Sequence, residues 1–457
     1  MSSERVETNG VQDNPLHVQP GTATVVLGAQ WGDEGKGKVV DLICTGSADL
    51  IARCQGGNNA GHTVVVGGKT YDFHLLPSGV IHENVVAVIG NGVVVHLPAL
   101  FAELAKNGID RQPDWNKRLV LSEECHLVFG FHMEVDRVLE EQADNRVKGN
   151  ESIGTTRKGI GPAYAAKMLR KSLRVVDLVS GDFDEHFAPK FRQLAQFYAG
   201  CFPGVEVKVD EELETYRELG GRLRSLGIVR DVVDFLDEQL GAKKKRLLVE
   251  GANGALLDVD FGTFPFVTSS NCSVGGAITG LGIAPTSLVS RIGVVKAYQT
   301  RVGAGPFPTE LSVPGDADGE FLQRVGHEFG VTTGRPRRCG WLDLVLLRRS
   351  CQVNKYTCLA LTKVDVLDEM AKLKVCVAYA LPDGTATTSV PKRVEDLGLV
   401  RPVYEEMDGW LASSKAARVY EQLPARLRAY VEFVEHFVGV RVALIGVGQD
   451  RNALVLR

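Results

Sequence analysis

Short apolar runs that stop at glycine recur along this chain, and they set its architecture. Residues 23–28 (ATVVLG) are continuous, β-branched and closed by Gly28, which predicts a strand buried on both faces. Runs at 86–89, 247–250 and 440–445 are also short, apolar and followed by glycine, while those at 292–297 and 357–361 lead instead toward Arg301 and into Thr362-Lys363. Helical periodicity fills the spaces between them. Residues 98–106 (PALFAELAK) open on Pro98 and are followed by Gly108, the residues that suit a first turn and a stop. Residues 133–143, 187–198 and 424–437 also predict helices, and 39–43 the opening of one. Residues 63–66 and 70–75 flank Gly67-Gly68 and predict a hairpin. Strands alternating with helices predict an α/β fold: a large, mostly parallel central sheet flanked by helices on both faces, with inserted helical and hairpin subregions. Ligands bind beyond the carboxyl ends of such strands. Glycine or charged loops follow the runs that end at 250, 297, 361 and 445, so these loops are expected to converge. No internal repeat or interior linker divides the chain, and residues 22–457 are expected to form a single domain.

Composition narrows the class. The chain has 457 residues, 44% of them hydrophobic, enough for a large core. A formal charge of -4 argues against general nucleic-acid binding, which needs a basic surplus. The basic run Lys243-Lys244-Lys245-Arg246 precedes an apolar strand and reads as a solvated strand entry. Nine cysteines without a C-x-x-C pair point away from a disulfide framework and towards reduced thiols and a cytoplasmic home. Residues 1–21 are polar with no apolar signal core and are expected to be a disordered tail. No apolar run reaches the ~18 residues a membrane helix requires, so no membrane partner is expected.

The chemistry concentrates in five loops. After the first strand, Gly32-Asp33-Glu34-Gly35-Lys36-Gly37-Lys38 has the G-x-x-x-x-G-K spacing of a phosphate loop, in which backbone N–H groups and lysine face phosphates. A glycine turn from strand to helix accounts for the spacing alone; strand, spacing and two lysines together favour a P-loop NTPase-like reading. Two features are irregular. Val39 stands where a Mg²⁺-binding hydroxyl is usual, and Asp33-Glu34 puts carboxylates where phosphate would sit. Thr362-Lys363-Val364-Asp365 resembles the N-K-x-D signature of guanine sites. One aspartate carboxylate accepts both N1–H and the 2-amino group of guanine, and the lysine stem lies along the base. Residues 55–63 (QGGNNAGHT) offer amides, close backbone approach and one imidazole, His62, while His126 and His132 lie in apolar surroundings and read as core. Residues 153–162 (IGTTRKGIGP) form a second anion-suited loop, with Lys167 and Arg170 expected on one helical face. Val331-Thr332-Thr333-Gly334-Arg335-Pro336-Arg337-Arg338 gathers three arginines, whose planar forks match carboxylate and phosphate.

These segments, with EGANGALLD (250–258), FVTSSN (266–271), RVGAGPFPTE (301–310), RCGW (338–341) and LTKVDVLD (361–368), resemble the adenylosuccinate synthetase family, in its eukaryotic branch, from about residue 22 to the end. The resemblance implies that IMP, L-aspartate and GTP give adenylosuccinate, GDP and phosphate through 6-phosphoryl-IMP. It makes Asp33 the base at N1 of IMP and His62 the acid at the 6-oxygen. It puts one Mg²⁺ per subunit on the Asp33 carboxylate and the Gly61 carbonyl. GTP would meet Gly32, Asp33, Glu34, Gly35, Lys36, Gly37, Lys38, Gly61, His62, Thr63, Arg337, Lys363, Val364, Asp365, Gly446, Val447 and Gly448. IMP would meet Asp33, Glu34, Gly35, Lys36, Asn59, Ala60, Gly61, His62, Thr156, Asn253, Thr268 and Arg335, with Arg170 supplied across a homodimer interface. Aspartate would lie on Val331, Thr332, Thr333, Gly334, Arg335, Pro336 and Arg337. The same resemblance explains the irregular loop, since the reaction requires a base beside the γ-phosphate. Pro336 and Gly446 depart from residues expected in many relatives, a basic one and a hydroxyl-bearing one. Two other classes compete: a GTP-binding switch, which leaves the IMP loops unexplained, and a dinucleotide oxidoreductase, which the spacing after Gly28 does not fit.

Overall fold

The computed structural model describes residues 14, 16–66, 69–145, 154–330, 334, 336–450 and 452–457, with residues 62, 63, 65, 66, 69 and 143–145 described through their backbone alone. Ten strands build the central sheet: β1 (Ala23–Gly28), β2 (Leu50–Arg53), β3 (Val86–Ile89), β4 (Leu119–Ser122), β5 (Val229–Arg230), β6 (Leu247–Glu250), β7 (Leu288–Lys296), β8 (Cys358–Thr362), β9 (Val442–Gly446) and β10 (Leu454–Leu456). Their order across the sheet is β10-β9-β8-β7-β1-β6-β2-β3-β4-β5. Every neighbouring pair is parallel except the β9–β10 edge. A mostly parallel sheet must be covered on both faces, and alternate residues of β1 show it. Val26 joins one large apolar cluster with Leu248, Ile292, Ala360 and Leu444. Val25 and Leu27 join a second with Val249, Val295, Leu361 and Ile445. β1 lies centrally between β6 and β7, so the carboxyl ends of these three strands are adjacent.

The helices expected from periodicity form with ends shifted by one to three residues: Leu97–Asn107, Gly130–Asn145, Ala188–Cys201 and Ala425–Val438. The hairpin pairs His62–Val66 with Lys69–Phe73, antiparallel; its Gly67-Gly68 turn lies outside the described residues. Three sequence expectations are corrected. Residues 16–21 belong to the packed body: Val18 is fully buried, its N–H meets Ser47 Oγ at 3.2 Å, and Gly21 N–H meets Lys245 O at 3.1 Å. Residues 1–13 and 15 lie outside the described residues. The basic run is more than a solvated entry, because Arg246 binds both carboxylate oxygens of Asp49, at 2.9 and 3.0 Å. Lys167 and Arg170 do not share a helical face. The helix Ile160–Met168 ends first, and Arg170 takes a left-handed backbone angle, φ 58. A smaller sheet in which Lys372–Ala380 pairs with Arg401–Asp408 has too mixed a surface pattern to show in the sequence.

One buried carboxylate fixes the hairpin to the body. Glu103, on the helix Leu97–Asn107, accepts the N–H groups of His74, Leu75 and Leu76 at 2.8, 2.9 and 3.0 Å. These residues directly follow the hairpin that begins at His62. Glu103→Ala leaves three N–H donors without acceptors, which is expected to destabilise the fold by about 3 kcal/mol or more. Urea unfolding measures it; a variant as stable as the native chain would refute this anchoring role.

Candidate active site

The loop after β1 is built around an inward carboxylate. It leads into the helix α1 (Lys36–Gly46), and Gly32, Asp33 and Gly35 have φ of 87, 58 and 87. Positive φ is natural for glycine and strained for aspartate, so the surroundings hold Asp33 in place. Glu34 is fully buried. Its Oε1 accepts the N–H groups of Gln30 and Gly32 at 3.1 and 2.9 Å, and its Oε2 meets Lys36 Nζ at 2.7 Å. A Cβ on Gly28 would lie 2.5 Å from Glu34 Oε2, and one on Gly254 would lie 2.6 Å from Oε1, so both glycines clear room for this brace. Asp33 turns the other way, with Oδ2 2.8 Å from Arg337 Nε.

Asp33 faces a cavity of about 510 Å³ beyond the carboxyl ends of the central strands. Its walls include Asn59, Ala60 and Gly61 from one loop, Thr156 from a second, Asn253 from a third and Thr268 from a fourth. Side chains staple these loops together. Gln55 pairs with both backbone groups of Ala252 at 2.9 and 3.0 Å, and Tyr164 OH accepts from Gly56 N–H and donates to Gly92 O. Asp136 receives Thr155 Oγ1 and Gly159 N–H, and Glu140 receives the N–H groups of Gly154 and Thr155. Asn253 has φ 61 and a buried Oδ1 without a partner among the described residues, as a ligand-binding amide would.

A second buried carboxylate, Glu328, gathers cations, two of which, Lys363 and Arg337, line the cavity. Its Oε1 meets Lys296 Nζ at 2.8 Å, Lys363 Nζ at 2.9 Å and Tyr298 OH at 2.5 Å, and its Oε2 meets Arg337 at 3.0 Å. Burial pushes its pKa up, but Lys296 and Lys363 overcome that and hold the carboxyl at about 2. The TKVD segment is tied to the phosphate loop, since Thr362 Oγ1 donates to Glu34 O at 2.6 Å. Asp365 lies in the short 3₁₀ turn Val364–Leu367 that follows Lys363, and burial raises its pKa. Lys38 points away from the cavity and donates to Gly448 O and Ala453 O at 2.9 and 2.5 Å, tying α1 to the turn after β9; burial lowers its pKa to about 8.

The geometry is thus a phosphate loop bearing an outward carboxylate, a neighbouring guanine-type motif, and a multi-loop cavity joining them. A sequence model described as adenylosuccinate synthetase matches residues 25–455. The chain belongs to the adenylosuccinate synthetase family. It is 54% identical over 435 residues to the adenylosuccinate synthetase of Caenorhabditis briggsae, covering 95% of this chain and 98% of that protein. It is 52% identical over 444 residues to that of Brugia malayi, covering 97% and 99%. Among solved structures, the fully ligated adenylosuccinate synthetase of Plasmodium falciparum superposes with a TM-score of 0.88 at 36% identity, covering 96% of this chain and 100% of that one. A cyanophage S-2L succinoaminodeoxyadenylate synthetase shares the fold at 18% identity and a TM-score of 0.57, covering 95% of each.

Placed in this synthetase frame, the expected site residues fall into four groups. Gly32, Asp33, Gly35, Lys36, Gly37, Asn59, Ala60, Gly61, Thr156, Asn253, Thr268, Arg337 and Lys363 all line the cavity. Glu34, Lys38 and Arg170 do not. Glu34 braces the loop from behind, Lys38 holds the β9 turn, and Arg170 lines a separate hollow of about 290 Å³ with Lys171 and Lys190. Asp365, Gly446, Val447 and Gly448 are not on the cavity wall, though Gly446 packs against Thr362, next to the wall residue Lys363; Val364 and Val447 are fully buried. Val331, Thr332, Thr333 and Arg335 lie outside the described residues, as do the side chains of His62 and Thr63. Gly334 has φ 64, and Pro336 pairs with Phe329 across the loop base. As expected, His132 is core: it is fully buried, and burial holds its pKa at about 3.

Sequence reasoning missed Glu328 and Lys296, and it gave Gln30 and Gln55 no bracing role. Glu328 had a readable signal, because it is an acidic residue between Gly326 and Gly330 just before an arginine cluster. Its charge makes a pH prediction. A carboxyl whose pKa is lowered by folding stabilises the chain above its ordinary value, 4.5, and that contribution disappears as pH falls from there through about 2. Substituting the pair together, Lys296→Met with Glu328→Gln, should make the acid limb of the stability–pH curve shallower between those values. An unchanged limb in denaturant unfolding at pH 3, 4 and 5 would count against the pairing.

Proposed function

We propose that this chain joins IMP to L-aspartate at the expense of GTP, giving adenylosuccinate, GDP and phosphate. The observation that carries the reading is Asp33: a carboxylate held at positive φ inside a phosphate loop, on the wall of a cavity lined by amides and hydroxyls from four further loops. A carboxylate there opposes simple phosphate binding and suits a base beside the γ-phosphate. Asp33 removes the N1 proton of IMP, and the electrons shift to the 6-oxygen. That oxygen attacks the γ-phosphorus of GTP, GDP leaves, and 6-phosphoryl-IMP forms. The amine of aspartate then adds at C6, and phosphate departs with the C6–O bond. His62 is the general acid at the 6-oxygen, giving it a proton as phosphate departs while the adding amine sheds one, and its place at the start of the anchored hairpin supports that role.

Lys363 flanks the guanine and Asp365 accepts its two donors. Gly446 to Gly448 complete that pocket through backbone groups. Asn59, Thr156, Asn253 and Thr268 hold IMP, and residues 331–337 hold aspartate. The donor set for Mg²⁺ is one carboxylate, Asp33, and one carbonyl, Gly61, both on the cavity wall; this fits an ion that takes its remaining ligands from phosphate and water. Bound there, it would neutralise phosphate charge. Arg170 serves the cavity of a second copy of the chain, which agrees with its exposed place outside its own cavity. Nine free thiols, eight of them buried, suit a reducing cytoplasm, and among the described residues no helix is long and apolar enough to cross a membrane.

The test is direct. Protein mixed with IMP, L-aspartate, GTP and Mg²⁺ should form adenylosuccinate, with ATP a poor substitute; absence of product refutes the reading. Asp33→Asn should lower turnover by about 10²–10⁴-fold, the range for loss of a general base. Native turnover in that variant would remove Asp33 from the chemistry. Asp365→Asn should erase the preference for GTP over ATP in the same assay, and unchanged selectivity would move guanine recognition elsewhere.

A further inference from the structure

Glu328 has more partners than its own burial requires. A buried carboxylate needs a counter-charge and filled lone pairs. Lys296, 1% exposed, and Tyr298 OH already supply both on Oε1. Yet Lys363 adds itself to Oε1 and Arg337 takes Oε2, and these two side chains are 30% and 12% exposed. They come from different segments of the chain that line the cavity. Lys363 opens the guanine motif, and its Nζ is held a second time by Gly326 O at 2.6 Å. Arg337 closes the arginine loop and also reaches Asp33. The backbone repeats the connection. Arg337 N–H donates to Glu328 O at 2.8 Å, and Phe329 pairs with Pro336, so Glu328 and Arg337 are held side by side through their backbones.

We propose that Glu328 is a positioning residue that aims Lys363 at the guanine nucleotide and Arg337 at the aspartate side of the cavity, linking the two grips through one carboxylate. This rests on the reading of those two cations as GTP and aspartate ligands. The physical reason is mutual repulsion. Three cations converge on this carboxylate, and without its charge each would turn away from the others. A carboxylate binding both oxygens to different loops fixes the direction of each cation as well as its charge. IMP contacts on Asn59, Thr156 and Thr268 arise from other loops and carry no bond to Glu328.

Steady-state kinetics test this with all three substrates varied. In Glu328→Gln the KM values for GTP and aspartate should each rise about tenfold or more, while that for IMP changes by less than about threefold. Because that substitution leaves Lys296 buried without a counter-charge, Lys296→Met/Glu328→Gln is measured beside it, with its melting temperature as the check on folding. It should melt near the native chain and show the same selective rise. A cycle with Lys363→Met supplies the second readout: adding Glu328→Gln to Lys363→Met should raise the KM for GTP no further, since Glu328 acts through that lysine. Additive effects, a folded double variant with native KM values, or an equal rise for all three substrates would each overturn the proposal. Native protein that forms no adenylosuccinate would remove the functional reading and this inference together. Native activity beside unaffected variants would remove the inference alone.

Discussion

The site depends on pairing between buried carboxylates and its own cations. Anionic substrates call for lysine and arginine in a place shielded from water, and isolated charges there are strongly disfavoured. The chain meets this constraint with acidic partners of fixed geometry. Glu34 holds Lys36, Glu328 holds Lys296, Lys363 and Arg337, and Asp33 holds Arg337 from the other side. Arg337 is therefore shared between the candidate base and the buried hub. The charge around the cavity is a connected system rather than a scatter of basic residues, which is why a net charge of -4 is compatible with a site for phosphates.

The parallel sheet supplies the second constraint. With β1 between β6 and β7, and β8 next to β7, four strand ends open on one edge and their loops must pack against one another. Side chains, not further secondary structure, do the joining. Gln30 binds both backbone groups of Lys296, and its Nε2 also reaches Tyr298 O. Gln55 does the same for Ala252, and Thr362 reaches the Glu34 carbonyl. Each bond is buried, so its loss would leave unsatisfied groups on both loops. Such staples place the phosphate loop, the guanine motif and the amide-lined wall in one rigid frame.

Much of this was legible in the sequence, for identifiable reasons. Continuous apolar runs closed by glycine marked β1, β6 and β9 because strands buried on both faces cannot alternate. The phosphate loop and TKVD were legible because their backbone chemistry demands fixed residue types at fixed spacing. Direction was not legible. Glu34 and Asp33 are adjacent acids in one loop, and nothing in their order says that one turns into the body and the other into the cavity. The role of Glu328 was hidden because its partners lie up to 35 positions away in the chain, and only the fold brings Lys296 and Lys363 to one carboxylate. Arg170 was misplaced for a local reason: a left-handed residue ended the helix before the expected i, i+3 face could form.

The phosphate loop shows how a shared spacing can serve different work. In the usual arrangement the lysine before α1's second turn reaches phosphate and the next hydroxyl holds a metal. Here Val39 is fully buried against the core, so that position faces the sheet and a hydroxyl there would meet apolar neighbours. Lys38 is committed to the carbonyls of Gly448 and Ala453. Lys36 remains as the loop's cation on the cavity wall, held by Glu34 directly beneath it. The carboxylate that seemed misplaced, Asp33, then occupies the one loop position whose side chain faces both the cavity and Arg337. The glycines fix where the backbone can approach, while Glu34 and Thr362 fix which way the loop faces. The loop's chemistry follows from that orientation more than from its glycine spacing.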